Sequence, residues 1–197
     1  MAERSLAGAS IVVTGASGGL GGFIARQLAD YGARLTLVAR DVSKVESLGI
    51  DATLVSADLR DAETSRRIVA AAVGAHDRLD GLVNAAGVVA FGPLVDTDDE
   101  VIEDLFLTNV LGPLWLMRAA IPALTAADRA LARELRAAGI GVTDARPPHT
   151  ETGLADRPIS GTAPRLKEGL QPDVVARRIV AAIIAGEREI PADAFSA

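Results

Sequence analysis

Apolar residues follow two alternating patterns along the chain. Short runs rich in β-branched residues predict buried strands, and longer segments with apolar residues three or four positions apart predict amphipathic helices. The predicted strands are Ser10–Gly15, Arg34–Ala39, Asp51–Asp58, Leu79–Gly87, 140–148 and 188–192. The predicted helices are Gly19–Tyr31, Ser65–His76, a long helix from Thr97 to about Ala120, Ala123–Gly139 and Pro172–Gly186. This alternation predicts an α/β fold with a doubly wound parallel sheet and helices on both faces.

Residues that favour helix ends mark several of these boundaries. Gly32 is predicted to end the first helix, because glycine adopts the left-handed conformation found after helix C-termini. Thr97 and Glu100 have the spacing of a capping box. Pro172 near the start and Gly186 at the end frame the last helix.

Composition narrows the class of protein. The 197 residues suit a single domain, 1–197, and 49% of them are apolar although only 3% are aromatic. Cysteine is absent, and the two histidines, His76 and His149, do not have metal-ligand spacing, so no metal site is expected. The net charge of −6, without a basic cluster among aromatics, argues against nucleic-acid binding. No signal peptide is recognised, and apolar runs such as VAAIIA are shorter than the roughly 20 residues that span a bilayer, so we expect a soluble cytoplasmic protein.

The turn TGASGGLGG, residues 14–22, connects the first strand to the first helix. Its glycines permit positive φ and remove the β carbons that would keep a phosphate away from the backbone. N–H groups at a helix start, together with the helix dipole, suit a pyrophosphate. The alternative is that the glycines only make a tight turn and a close helix–strand contact.

The spacing Thr-Gly-x-x-x-Gly-x-Gly, carried by Thr14, Gly15, Gly19 and Gly21, resembles the short-chain dehydrogenase/reductase family. Further matches follow in that family's order: Asp58-Leu59 after the third strand, Asn84-Ala85-Ala86-Gly87 after the fourth, Asn109 in a helix, and ARPPHTETG near the end. The resemblance implies a Rossmann-like fold, a small-molecule substrate and a nicotinamide dinucleotide cofactor. The cofactor-binding residues that it implies are Gly15, Ser17, Gly18, Gly19, Leu20, Gly21, Arg40, Asp58, Leu59, Asn84, Ala85, Ala86, Gly87, Pro147, Thr150 and Thr152. In this assignment Asp58 and Leu59 contact the adenine, and Thr150 and Thr152 hold the nicotinamide carboxamide and a phosphate.

The residues after the second strand indicate which dinucleotide is bound. An acidic side chain at the strand end would bond the ribose 2′-hydroxyl group, but Ala39 occupies that position and Arg40 follows it. A guanidinium group pairs well with a 2′-phosphate, which favours NADP(H) over NAD(H). The alternative is a solvated Arg40, with Asp41 as the partner of the 2′-hydroxyl group.

The resemblance also implies a catalytic Ser, Tyr and Lys acting with Asn109, and only Asn109 is found. The single tyrosine, Tyr31, lies 12 residues beyond Gly19, about 18 Å along the first helix, and no Tyr-x-x-x-Lys occurs. Compared with that family, roughly 30 residues, close to a βαβ unit, are absent near Ile121-Pro122, among them the strand that would lie beside Leu79–Gly87 in the sheet. Three explanations stay open: residues present in the molecule but absent from this sequence, a true deletion, or a non-catalytic relative.

These observations favour an NADP-dependent oxidoreductase of the short-chain type that acts on a carbonyl or secondary alcohol. The alternatives are a nucleotide-binding pseudoenzyme or sensor, and a structural subunit that binds no nucleotide. Phe106, Leu114 and Trp115 offer bulky apolar surface on the helix of Asn109, where the family forms subunit interfaces. A homodimer or homotetramer is therefore expected.

Overall fold

The computed structural model describes residues 5–131 and 141–195, except for the side chains of 125–131. The strands are β1 Ser10–Thr14, β2 Arg34–Ala39, β3 Ala52–Ser56, β4 Gly81–Asn84, β5 Asp144–Ala145 and β6 Glu189–Ile190. The helices are α1 Gly19–Asp30, α2 Ser43–Glu46, α3 Ala62–His76, α4 Asp99–Phe106, α5 Gly112–Leu131 and α6 Pro172–Ala185. A π-helical turn, Leu107–Leu111, joins α4 to α5, and 3₁₀ turns lie at Leu94–Asp96 and Ala192–Phe195.

Four strands form a parallel sheet in the order β3-β2-β1-β4. Helices α1 and α6 pack together on one face, and α3 and α5 pack together on the other. All five residues of β1 are buried because the strand has neighbours on both edges and helices on both faces. The prediction of a doubly wound α/β fold is confirmed.

Local end signals marked some helix boundaries correctly. Gly32 has a φ of +80° just after α1, and Gly186 has a φ of +69° just after α6, as the glycine signal predicts. The predicted capping box is wrong. The Thr97 hydroxyl group donates to the Pro93 carbonyl oxygen (3.1 Å), and the N-cap of α4 is Asp98, whose side chain makes no capping bond.

The helices around Pro122 differ from the prediction. Instead of one helix ending near Ala120 and another starting at Ala123, α5 continues through Pro122 to Leu131. A proline inside a helix removes one hydrogen bond, and its ring crowds the carbonyl group four residues earlier. Pro122 and the residue at that earlier position, Arg118, are both exposed to water. The rest of the predicted second helix, up to Gly139, lies outside the described residues.

The strand predicted at 140–148 is also much shorter. Within the described part of that range, 141–148, only Asp144–Ala145 is a strand, and it pairs with β6 in a separate two-stranded sheet, leaving β4 at the edge of the larger sheet. Strands β4 and β5 are not paired with one another, and α5 is unbroken, but neither observation tests the three explanations. The choice among the three explanations therefore stays a prediction.

The helical stretch Asp99–Leu124 has an outward face that is apolar. Its most apolar 18-residue window has a mean hydropathy of 1.3, enough by length and composition alone to cross a membrane, and only 17% of that window is buried. We call the exposed side of this stretch the outer α4–α5 face; its exposed apolar residues include Phe106, Val110, Leu111, Leu114 and Met117. Trp115, expected to join this surface, is half-buried.

Candidate functional site

A cleft of about 800 Å³ lies where the strands of the main sheet end. Its walls come from the carboxyl ends of β1 to β4 and from the segment 145–166. In doubly wound sheets, ligands bind outside the carboxyl ends of the strands. A cleft of this volume is within the range of small-molecule and cofactor sites.

The β1–α1 turn forms the floor of this cleft at close backbone contact. Gly15 has a φ of +68°, and a β carbon at this position would lie 2.6 Å from the Ala85 carbonyl oxygen. A β carbon at Gly21 would collide with the Gly15 carbonyl oxygen. Both glycines are therefore required by the packing of the turn itself, as the tight-turn alternative expects, and the phosphate alternative remains compatible with them.

The amino end of α1 has no capping group of its own. Its N-cap, Gly18, has no side chain, and its first turn contains no acidic residue. The backbone N–H groups of Gly19, Leu20 and Gly21 have no partner one helical turn earlier. Gly19 and Leu20 line the cleft, so this end of α1 presents unpaired N–H groups and the positive end of the helix dipole to a ligand.

Thr14 and Asn84 tie the ends of β1 and β4 together. The hydroxyl group of Thr14, which is fully buried, donates to Asn84 Oδ1 over 2.6 Å. The two residues are also partners in the strand register. This bond fixes the start of the Asn84–Gly87 segment beside the glycine turn, and the whole segment lines the cleft.

Arg40 and Asp41 differ in their surroundings. Asp41 Oδ1 accepts hydrogen bonds from the Ser43 hydroxyl group (2.6 Å) and backbone N–H (3.1 Å), and its other oxygen lies 4.0 Å from Lys44 Nζ. The bonds from Ser43 hold the pKa of Asp41 below its usual value. Arg40 lines the cleft and has no ion pair within the described part of the chain, whereas Asp41 does not line it. The geometry thus favours Arg40 over Asp41 as a ligand-binding residue.

Asp58, also at the cleft, is held by Arg60. Arg60 Nη2 and Nε donate to the carboxylate of Asp58 over 2.7 and 3.1 Å, and Nη1 donates to Asp104 of α4 over 2.7 Å. The bond from Arg60 holds the pKa of Asp58 below its usual value, and the two carboxylates raise the pKa of Arg60. The hydrogen bonds from Arg60 thus favour the ionised form of Asp58 at the wall of the cleft.

Asn109 lies in the π-helical turn, a feature that is frequent at functional sites. Its amide group makes two 2.9 Å hydrogen bonds with the backbone of Val88, donating to the carbonyl oxygen and accepting from the N–H. Thr108 lines the cleft, and Asn109 does not. Asn109 therefore positions the loop after β4 in this structure.

The segment 145–166 covers the open side of the cleft. Pro147, Thr150 and Thr152 line it, as do residues to which the sequence assigned no binding role: Val89, Phe91, His149, Leu154, Arg157, Ile159 and Leu166. Two backbone bonds attach this segment to the loop after β4, from Phe91 N to Ser160 O (2.9 Å) and from Ile159 N to Val89 O (2.8 Å). No local pattern marks such residues, because their position depends on pairing between irregular segments.

The cleft brings together the predicted cofactor-binding residues with one exception. Gly21 supports the turn from behind and does not line it. Their roles in binding stay a prediction. Tyr31 is at the opposite end of α1, 55% exposed and outside the cleft. No group of three or more Asp, Glu or His residues that could hold a metal ion occurs within 5–131 and 141–195.

Comparison with known proteins identifies the family. The family model for short chain dehydrogenases matches residues 9–130, which is more than half of the chain. The protein therefore belongs to the short-chain dehydrogenase family, as the motif spacing indicated.

Individual relatives agree with this assignment. An uncharacterized oxidoreductase, YxnA of Bacillus subtilis (strain 168), is 37% identical over 118 residues, 56% of this chain and 33% of the relative. A metagenomic short-chain oxidoreductase solved with NADP is 27% identical, with a TM-score of 0.71 over 95% of this chain and 97% of that one. A short chain dehydrogenase from Burkholderia cenocepacia J2315, also solved with NADP, is 25% identical, with a TM-score of 0.76 over 98% and 100%. The matches span between 33% and 52% of the length of the first curated relatives.

Proposed function

We propose that the protein binds NADP(H) in the cleft and acts as an NAD(P)-dependent oxidoreductase that transfers hydride between the cofactor and a carbonyl or secondary alcohol. The observation that carries this proposal is that the uncapped amino end of α1 and the unpaired Arg40 line one cleft. A dinucleotide with a 2′-phosphate needs both features, one for its diphosphate and one for its ribose phosphate. The NADP bound to the two structural neighbours supports it.

Each wall of the cleft has a place in this proposal. The carboxylate of Asp58 accepts a hydrogen bond from the adenine amino group, beside Leu59. The Asn84–Gly87 segment supports the nicotinamide ribose, and Thr150 and Thr152 hold the carboxamide and a phosphate. The cofactor supplies the hydride, and this chain's residues bind and orient it.

The proton donor that the family resemblance implies is not found in this sequence. Hydride transfer to a carbonyl develops an alkoxide, which requires a nearby proton donor. The chain's one tyrosine, Tyr31, lies outside the cleft, and the sequence has no Tyr-x-x-x-Lys. This favours, as the second candidate, a nucleotide-binding sensor that catalyses nothing. A structural subunit without nucleotide is the third.

Nucleotide titration and turnover separate these candidates. Intact mass first establishes which polypeptide is in the sample. Binding of NADPH should then change the fluorescence of the protein, and NADH should bind more weakly than NADPH. Arg40→Ala should weaken NADPH and leave NADH nearly unchanged, with Arg165→Ala as an exposed control. Binding with turnover supports the oxidoreductase, binding without turnover supports the sensor, and no binding of either nucleotide contradicts both. Equal losses for the two nucleotides in Arg40→Ala would contradict the 2′-phosphate assignment.

We further propose that residues 1–197 form one dinucleotide-binding domain of a soluble cytoplasmic homodimer or homotetramer. The outer α4–α5 face supports this, because Phe106 and Leu114 are 60% and 51% exposed in the single chain. Leu114→Glu should shift the light-scattering mass to that of a monomer, whereas Val174→Glu, on the exposed side of α6, should not. A wild-type monomer at micromolar concentration, or a wild type extracted only with detergent, would contradict this assembly.

A further inference from the structure

The loop Thr152–Arg157 is folded directly onto the amino end of α1. Leu154 N donates to Thr152 Oγ1 (3.4 Å) and Arg157 N donates to the Leu154 carbonyl oxygen (3.2 Å), which closes the loop on itself. A β carbon on Gly19 would lie only 2.6 Å from the Thr152 carbonyl oxygen. The loop and the unpaired N–H groups of α1 therefore border the same part of the cleft.

Arg157 ends this loop and lines the cleft. Its Nε donates to the Gly153 carbonyl oxygen (3.0 Å), and its Nη2 lies 3.4 Å from the Thr152 carbonyl oxygen. These bonds orient the guanidinium group but leave its charge uncompensated, since both acceptors are neutral. Among the described residues no carboxylate forms an ion pair with Arg157. Asp156, its neighbour in sequence, forms no ion pair with it and lines an adjoining depression that shares His149, Ala155 and Leu166 with the cleft.

The geometry points to Arg157 as a second cationic residue that binds the diphosphate of the dinucleotide, opposite the amino end of α1. This inference rests on the proposed function, because it concerns the same cofactor. A guanidinium group has five N–H donors, so the two bonds to the loop leave donors for phosphate oxygens. Pairing with a phosphate would supply the charge compensation that the chain itself does not provide.

A carboxylate or phosphate on the substrate is the other anion that Arg157 could meet. The apolar side chains of Leu154, Ile159 and Leu166 line the same side of the cleft and suit a substrate body. The diphosphate is favoured because Thr152, which accepts from Arg157, is in contact with Gly19 at the start of α1. Arg157 is thus connected through Thr152 to the start of α1, whose N–H groups are expected to bind the diphosphate.

The test compares Arg157→Gln with Arg165→Gln, a control that removes the same charge from the same segment outside the cleft. We expect Arg157→Gln to weaken NADPH and NADH by the same factor, about tenfold, because both contain the diphosphate. The loss should shrink at high salt. Arg157→Lys should lose less, and Arg165→Gln should bind as the wild type does. Adenosine 2′-monophosphate, which lacks the diphosphate, should bind Arg157→Gln unchanged and so report an intact adenine site.

Other outcomes overturn the inference in distinguishable ways. If Arg157→Gln binds both dinucleotides as tightly as the wild type, Arg157 does not contact the diphosphate. Hexanoate, a carboxylate with an apolar chain, then serves as a probe for a substrate anion. If the NADPH complex of Arg157→Gln fails to bind hexanoate, Arg157 is assigned to that anion instead. If Arg157→Gln also loses adenosine 2′-monophosphate, the arginine acts by holding the fold. A wild type that binds neither dinucleotide overturns the proposed function and this inference together.

Discussion

The side-chain amide of Asn109 is paired with both backbone groups of Val88. Nδ2 donates to the Val88 carbonyl oxygen and Oδ1 accepts from the Val88 N–H, each over 2.9 Å. The pair joins the π-helical turn after α4 to the loop that follows β4. A wide turn in a helix and a loop at a sheet edge are thereby fixed to one another beside the cleft.

Asn109→Asp should remove one of the two hydrogen bonds with Val88 and keep the other. Aspartate keeps the acceptor but places a carboxylate oxygen against the Val88 carbonyl oxygen, so we expect a loss of about 1–2 kcal/mol in the free energy of unfolding at neutral pH. In acid the new carboxyl group is protonated and can donate again, so the loss should diminish. Urea denaturation across this pH range measures it. Asn109→Ala is the control, since it loses both bonds at every pH. An equal loss at neutral and acidic pH in Asn109→Asp would contradict the pairing.

Alanine variants of Gly15 and Gly8 distinguish the cost of backbone strain from the cost of a steric collision. Both have positive φ, +68° and +74°, but a β carbon on Gly15 would meet the Ala85 backbone whereas one on Gly8 would meet nothing within 4 Å. We expect Gly8→Ala to cost about 1–2 kcal/mol from strain alone. Gly15→Ala should cost about 3 kcal/mol or more and abolish dinucleotide binding. Chemical denaturation and fluorescence titration measure the two effects, and equal costs would show that the Ala85 contact is unimportant.

The parts of the fold that depend on short stretches of sequence were predictable. Strand β2 has the predicted bounds, Arg34–Ala39, because a short run of apolar and β-branched residues between a glycine turn and a polar turn predicts a buried strand. The starts of α1 and α6, at Gly19 and Pro172, were likewise marked by local residues. The glycine turn is recognisable for the same reason, since its residues are contiguous in the chain.

The parts set by tertiary contacts were not predictable. A proline usually ends a helix, yet α5 passes through Pro122 because its inner side, including Leu116 and Ala120, is fully buried against the sheet and α3. Strand β5 extends over only two residues because its partner is the equally short β6. Arg157 and the rest of the segment over the cleft have no periodic pattern, so the sequence alone could not assign roles to its individual residues.

The pairing of Asp58 with Arg60 predicts an acid-dependent contribution to stability. Hydrogen bonding from Arg60 lowers the pKa of Asp58 below its usual value in the folded protein. A carboxylate with a depressed folded pKa stabilises above its unfolded pKa of about 3.9, and this stabilisation is lost as the pH falls through the folded value. Because both side chains are more than one-third exposed, the contribution should be below about 1 kcal/mol.

Asp58→Asn tests whether the contribution of Asp58 to stability is lost in acid. The variant should be slightly less stable than the wild type at pH 7, and the difference should vanish as the solution is made acidic. Asp51→Asn is the control, since Asp51 makes no side-chain hydrogen bond or ion pair in the part of the chain that the structure describes. Urea midpoints at several pH values measure it. A difference that grows in acid would show that the bond from Arg60 does not favour the ionised form.

Gly19 and Gly74 are both helical glycines, and replacing each by alanine should have opposite results. Gly74 is exposed in α3 and a β carbon there would meet nothing within 4 Å, so Gly74→Ala should raise the free energy of unfolding by up to about 1 kcal/mol. At Gly19 the β carbon would lie 2.6 Å from the Thr152 carbonyl oxygen and 2.8 Å from its Cα, both backbone atoms that cannot rotate away. Gly19→Ala should therefore displace the loop Thr152–Arg157, increase its cleavage in limited proteolysis and weaken NADPH binding. If Gly19→Ala instead resembles Gly74→Ala in stability, proteolysis and binding, the loop is not seated on α1 in solution.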